Sequence, residues 1–328
     1  MLFSSIEPHL EALDRYMEGQ VAVFEPEVQD LVSYCIRTSG KRLRPALVFF
    51  AGWAEQSRVQ DDLIKLAAVI ELVHMATLVH DDILDSASVR HGRMTVTEKY
   101  GSKMAVLLGD SLFAHAVNLS TEFSDIDVCR LVSQATRRVC AGEIGQTACR
   151  GDAAITLDAY YRLIELKTAE LFQVSCFLGA KLAGTAQDFS EAAGGFGRHL
   201  GIAYQIYDDL SDFYGSEAEF GKTLGTDLAN GKYTLPIILL FKRLSSDERV
   251  DFLEDAGAGD PEKTAFWLTK MMGAGVYSEV VSAIFTETER AEQGLEAFAH
   301  LPPTPYLMQI SRFLQGQVLN LGFSHVAD

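Results

Sequence analysis

The chain carries the spacing Asp-Asp-x-x-Asp twice, each time at the end of an apolar, helix-patterned stretch. The first copy is Asp81, Asp82 and Asp85 in LVHDDILD; the second is Asp208, Asp209 and Asp212 in YQIYDDLSD. On a helix, positions i and i+4 share a face, so each copy sets carboxylates side by side next to apolar sequence. Like charges that close repel, and unpaired charge beside a core is costly. A divalent cation resolves the conflict most simply. Two such clusters together read as a site for several cations and a polyanionic ligand. Magnesium suits it, because it takes few protein carboxylates and fills its shell with water and phosphate oxygens. The expected ligand is a diphosphate.

Helical periodicity dominates the rest. It predicts helices over Asp61–Asp85, Met104–Phe123, Asp127–Cys149, Leu157–Leu182, Ser190–Phe213 and Leu235–Leu244. Alternating Val/Ile/Thr runs are absent and only 8 prolines interrupt the chain, so the fold class is all-α. Punctuation is read at Ser39-Gly40, His91-Gly92, Gly194-Gly195 and Ala229-Asn230-Gly231, and a loop at Gly257–Asp260. A length of 328 residues would allow two domains, but no linker or composition break separates them, and a single domain over 1–328 is expected.

A diphosphate site also needs protein cations. The chain has 45 acidic and 28 basic residues, a net charge of −17, which argues against nucleic acid as a partner. Against that background the basic residues beside glycines stand out: Gly40-Lys41-Arg42-Leu43-Arg44, Arg90-His91-Gly92, Gly221-Lys222 and Gly231-Lys232, with Lys167-Thr168 inside a helical stretch. Taken singly, each lysine reads more plainly as solvated surface charge. His74, Leu78, Asp81 and Asp85 form one helical stripe. His74 alone reads as a hydrogen-bonded core histidine. Gln205, Asp209 and Asp212 share a face, with Asp208 beside them.

Five scattered cysteines, odd in number and without a C-x-x-C pair, fit a reducing, cytoplasmic setting. The N-terminal residues carry acids where a signal peptide has bases. No stretch approaches ~20 uninterrupted apolar residues, so no integral membrane segment is expected.

The ordered pieces GKRLRP, ELVHMATLVHDDILD, GDSLFAHA, GEIGQ, ELKTAELF, YQIYDDLSD and GKTLGTDLANGKYTLP make the chain resemble the trans-prenyl (polyprenyl) diphosphate synthases, hexaprenyl and octaprenyl diphosphate synthases among them. The resemblance runs from residue 40 to the LPPTPY segment near residue 303. It implies an isoprenoid synthase-type helical bundle around a deep central cavity. It also implies Mg2+-dependent condensation of isopentenyl diphosphate with an allylic prenyl diphosphate, with three ions (Mn2+ as a substitute) and a homodimer.

Residue by residue, the resemblance implies metal ligation by Asp81, Asp85 and Asp208, with Asp82, Asp209 and Asp212 completing the constellation. Arg90, Lys167, Lys222 and Lys232 match contacts to the allylic diphosphate. Gly40, Lys41, Arg44, His74 and His91 match the isopentenyl diphosphate pocket. Thr168 and Gln205 match residues lining the reacting allylic carbon. Catalytic roles are thereby implied for Asp81, Asp82, Asp85, Lys167, Thr168, Gln205, Asp208 and Lys222.

The chain departs from the family at His91, where a second arginine is usual, and at its C-terminus, GFSHVAD, which lacks a basic tail. Ala76 and Thr77, one turn before Asp81, are small where short-product members carry aromatic rings, so the floor of the cavity is expected deeper, at Val73, Val69 or a residue such as Phe113 on a neighbouring helix. A product of C30 or longer, with C40 plausible, is the expectation, and transient membrane contact at product release follows from it. The alternatives are a short-chain (farnesyl or geranylgeranyl) synthase, a class I terpene cyclase, an HD-type phosphohydrolase built on His74 and His80-Asp81, or an inactive regulatory subunit. The second aspartate cluster speaks against the cyclase, and the presence of all six aspartates against the regulatory subunit.

Overall fold

The computed structural model describes residues 3–37, 40, 42–53, 60–215, 226–258 and 261–323, and they are almost wholly helical. In chain order the helices are α1 (Glu7–Gln20), α2 (Pro26–Arg37), α3 (Leu43–Ala51), α4 (Asp61–Leu84), α5 (Val96–Tyr100), α6 (Ser102–Ser120), α7 (Ile126–Ala148) and α8 (Leu157–Ile164). They continue as α9 (Glu170–Leu182), α10 (Gln187–Tyr214), α11 (Thr226–Ala229), α12 (Leu235–Phe241), α13 (Ser246–Ala258), α14 (Pro261–Gly273), α15 (Val276–Gln293) and α16 (Pro303–Phe323). The one sheet among the described residues is a two-residue hairpin, β1 (Val89–Arg90) against β2 (Arg93–Met94). Its turn, His91-Gly92, holds positive φ at both residues.

Helices α4 and α10 carry the two aspartate clusters and are buried along most of their length. Helix α4 packs on α6, α3 and α9, and α10 packs on α9 and α15. The buried apolar side chains form one cluster, with Phe49, Phe50, Phe172, Phe189 and Phe196 fully enclosed. Segment Asp61–Leu84 is long and apolar enough to cross a membrane by composition. Its most apolar window, however, is 72% buried against other helices, as the central helix of a bundle must be.

Close helix contacts depend on glycine. A Cβ added at Gly197 would come within 2.4 Å of the Phe172 carbonyl oxygen, and one at Gly201 within 2.6 Å of the Ala169 Cα. Gly194 and Gly195 are therefore no break. They lie inside α10, and Gly194 faces Phe177 of α9. Of the loop expected at Gly257–Asp260, Gly257 and Ala258 belong instead to the end of α13, and residues 259 and 260 lie outside the described residues. The stretch Leu157–Leu182 is helical throughout but not uniformly so. Residues Glu165–Ala169 form a π turn between α8 and α9.

Candidate functional site

The two aspartate clusters meet through cations. At the C-terminus of α4, Asp81 Oδ2 lies 3.4 Å from Lys167 Nζ, and Asp82 Oδ1 accepts from Arg90 Nε at 2.7 Å. Asp85, the C-cap, accepts from Arg150 Nη2 and from Lys232 Nζ, each at 2.6 Å. Lys232 Nζ is also 3.6 Å from Asp227 Oδ1, and the Asp227 amide donates to Asp212 Oδ2 at 3.1 Å. One ammonium thus bridges the end of α4 to the residue that holds the second cluster.

On α10, Asp209 is buried and accepts from Tyr160 Oη at 2.5 Å and Gln205 Nε2 at 2.8 Å. Burial and nearby Asp227 push its carboxyl up to about 8, although both donors favour the ionised form. Thr168 Oγ1 donates to Gln205 Oε1 at 2.5 Å, so Thr168, Gln205, Asp209 and Tyr160 form one relay. Asp208 is half-buried on the adjacent face.

Lys167 and Thr168 lie in the π turn. The extra residue of such a turn re-aims side chains, and π turns recur at functional sites. The backbone of α7 comes close here: a Cβ at Gly142 would sit 2.6 Å from the Lys167 amide nitrogen. That approach places Glu143 2.6 Å and Gln146 3.0 Å from Lys167 Nζ. Burial, then the charge of Asp81, pushes the Glu143 carboxyl up to about 7. Burial opposes the Lys167 charge, but Asp81 and Glu143 outweigh it and hold its pKa above the ordinary lysine value. For Asp85 too, burial is outweighed by a partner, Lys232, and its pKa is lowered.

A second group of expected residues gathers at the start of α3. Arg44 Nη1 donates to His74 Nε2 at 3.0 Å, and the guanidinium stacks 5.0 Å over Phe172. Burial, and then Arg44, holds the His74 imidazole well below its ordinary range, so it accepts as the neutral ring. The exposed His91 ring packs on Gly40, where an added Cβ would meet Nε2 at 2.8 Å. Arg42, at positive φ, is spent on Glu71 (2.9 Å) and Asp14 (3.0 Å). Lys41 and Lys222 lie outside the described residues.

Ala76 and Val73 are fully enclosed on α4, and Thr77 Oγ1 donates back to His74 O at 2.6 Å. His80 turns to α6, with Nε2 3.2 Å from Val106 O and its ring against Phe113. It is thus engaged away from the aspartates, which removes the histidine that an HD-type metal centre needs. A cleft of about 380 Å³ between residues 153–158 and α12 is lined by none of the expected residues.

Sequence reasoning assigned no role to Glu143, Gln146, Arg150, Tyr160 or Asp227. Three of these lay in quoted pieces: Glu143 and Gln146 in GEIGQ, and Asp227 in GTDLANGKY. Arg150 and Tyr160 had no local signal.

The donor set fits a hard divalent cation. Asp81 Oδ1 is buried with no hydrogen-bond partner, and Asp82 and Asp85 are compensated by Arg90, Arg150 and Lys232.

Comparisons with known proteins identify the family. Residues 25–267 match the polyprenyl synthetase family. Heptaprenyl diphosphate synthase component 2 of Bacillus subtilis is 35% identical over 74% of this chain and 69% of its own length. The all-trans-nonaprenyl-diphosphate synthase (geranyl-diphosphate specific) of Rhodobacter capsulatus is 30% identical over 93% of each. A polyprenyl synthase of Caulobacter crescentus CB15, solved with calcium and isoprenyl diphosphate, superposes with a TM-score of 0.86 at 29% identity, covering 96% of both chains. On sequence and fold together, the chain belongs to the polyprenyl synthetase family, the trans-prenyl diphosphate synthases.

Proposed function

We propose that the chain, folded as one domain, extends an allylic diphosphate with isopentenyl diphosphate to a medium- or long-chain all-trans polyprenyl diphosphate, C30 or longer. The observation that carries the site assignment is the Asp85–Lys232–Asp227–Asp212 connection, which brings both acidic clusters onto one site. Asp81, Asp85 and Asp208 hold magnesium, with Asp82, Asp209 and Asp212 in support, and room for three ions is the family expectation. When bound, these ions stabilise charge on the departing diphosphate.

The protein's own groups do the rest. Arg90, Lys167 and Lys232, with Lys222, grip the allylic diphosphate, and Lys167 is held charged for that task. Arg44, neutral His74, His91 and Gly40, with Lys41, receive isopentenyl diphosphate. The Thr168–Gln205 pair lines the allylic carbon. The C–O bond ionises, the isopentenyl double bond attacks the allylic carbon, and the released diphosphate takes the proton lost. Apolar surroundings exclude the water that would quench the cation.

The test is incorporation of labelled isopentenyl diphosphate with Mg2+ by the protein alone, with product length read from farnesyl and geranylgeranyl primers. Failure without a second chain would point to a component of a heteromeric enzyme, and a C15 or C20 product to the short-chain alternative.

We also place the protein in the cytoplasm, touching membrane at product release, and propose a homodimer. Helix α6 leaves Met104, Val106 and Leu107 exposed on one side of a helix whose other side is core, a face that a second copy would cover.

A further inference from the structure

Arg150 follows the end of α7, and its guanidinium reaches the end of α4. Nη2 lies 2.6 Å from Asp85 Oδ1, and Nη1 donates to Leu84 O at 3.0 Å. The last turn of α4 has no basic residue of its own, so Arg150 supplies the cation that a helix C-terminus favours. Asp85 is thereby engaged on both oxygens, with Lys232 on the other. The next residue extends the link: the Gly151 amide donates to Gly231 O at 2.8 Å. A Cβ at Gly231 would stand 3.1 Å from that amide, so the two loops touch backbone to backbone. From there Lys232 N donates to Asp227 O at 2.7 Å, and the Asp227 amide holds Asp212. A short strap runs from one acidic cluster to the other, and Arg150 is its anchor on α4.

We infer that Arg150 is a positioning residue: the resident counter-ion of Asp85, which yields that carboxylate when a divalent cation takes it. The argument is one of charge and burial. A cation arriving at Asp85 meets two like charges. Lys232 is the buried one, its side chain 8% exposed and shared with Asp227. Arg150 is 23% exposed and makes its remaining bond to a helix-end carbonyl, so it moves towards water at the lower cost. Arg150 therefore stabilises the cation-free protein and weakens the first cluster's apparent affinity for its ion. The inference rests on reading Asp85 as a metal ligand.

The test uses the full chain and thermal unfolding. Wild type, Arg150→Gln, Arg150→Lys and Asp85→Asn are melted in EDTA, and then with Mg2+ titrated at fixed inorganic diphosphate. Arg150→Gln is expected to melt lower than wild type in EDTA, yet to reach half of its magnesium-dependent rise at a several-fold lower Mg2+ concentration. Arg150→Lys should fall between, since its compact ammonium keeps the charge but lacks the planar fork with which Arg150 holds Asp85 and Leu84 O at once. Asp85→Asn should lose most of the magnesium-dependent rise. A full rise in Asp85→Asn would overturn the metal assignment itself. A lost rise there, with unchanged or higher half-saturation in Arg150→Gln, would overturn only the counter-ion role. Equal destabilisation with and without Mg2+ at unchanged half-saturation would mark Arg150 as merely structural. If Arg150→Gln does not fold, the half-saturation of Arg150→Lys decides: lower supports the inference, equal or higher defeats it.

Discussion

Lys232 Nζ stands 2.6 Å from Asp85 Oδ2, joining residues 147 positions apart in the chain. The contact makes the two clusters one electrostatic unit. Around them Arg90, Arg150, Lys167 and Lys232 offset charge that would otherwise push the helix ends apart. On the proposed reading, an ion or a diphosphate oxygen competes with each of these cations. The folded chain thus compensates its first acidic cluster with its own cations.

The carboxylates are the first targets. Asp81→Ala or Asp208→Ala should lower turnover by roughly 100-fold or more, the scale of losing one preorganised electrostatic contact in a transition state. Helix content by circular dichroism should stay near wild type. Near-normal turnover in either variant would remove that residue from the site.

His74, which we propose lines the isopentenyl end of the site, also bears on stability. Its imidazole is held well below the ordinary range by burial and by Arg44, whereas in the unfolded chain it titrates near 6.5. Below pH ~6.5 the unfolded state therefore binds more protons than the folded one, and stability falls as pH drops. Above that pH the group contributes no slope. His74→Gln keeps an acceptor for Arg44 and cannot protonate. Urea midpoints between pH 7.5 and 5.5 should fall less steeply for this variant than for wild type. His9 and His115, also lowered by burial, leave it a residual slope. Parallel curves would refute the assignment.

The sequence made the helices and the aspartates legible because their signals are local. The 24 residues from Asp61 to Leu84 are apolar enough along their length to read as a central helix, and paired acids at its end have few uses. What stayed hidden was set by contacts distant in the chain. Gly194-Gly195 reads as punctuation in one dimension, yet both residues lie inside α10, where Gly194 faces Phe177 of α9. The π turn at Lys167 is invisible because its residues are ordinary helix formers and the register shift comes from packing. Tyr160 and Arg150 lie in no motif. Their partners, Asp209 and Asp85, are 49 and 65 residues away.

The packing of His91 on Gly40 bears on the arginine that the family usually places here. Histidine largely loses its charge above pH 7, while arginine keeps it and grips phosphate with two donors. His91→Arg should lower the Michaelis constant for isopentenyl diphosphate, by up to about tenfold or roughly 1.4 kcal/mol, most clearly at pH 8. The exposed position leaves room for the longer side chain, and the positive φ is already borne by a non-glycine residue. An unchanged or higher constant at pH 8 would show that His91 does not stand in for the arginine.

Assembly is tested at α6. Sedimentation at micromolar protein should give a dimer, and Leu107→Glu, on the exposed apolar face, should shift it towards monomer. Wild type sedimenting as a monomer would refute the pairing.

Chain length turns on the level one turn below Asp81. Ala76 is fully enclosed and ends at a methyl group, and Thr77 beside it is folded back onto His74 O. Neither presents a ring to a product growing along α4, and Val73, the next turn down, is also small. On the proposed reading, a phenyl group at position 76 occupies volume that a C30 chain needs, one turn away from the aspartates and their cations. Ala76→Phe should therefore shorten the product to C15 or C20 and retain isopentenyl diphosphate incorporation. Overpacking an enclosed site costs about 1–3 kcal/mol, so the variant should melt lower yet remain folded at assay temperature. Thin-layer or mass analysis of dephosphorylated products reads the result directly. A wild-type product no longer than C20, or the same product from both proteins, would show that the stop lies elsewhere in the bundle.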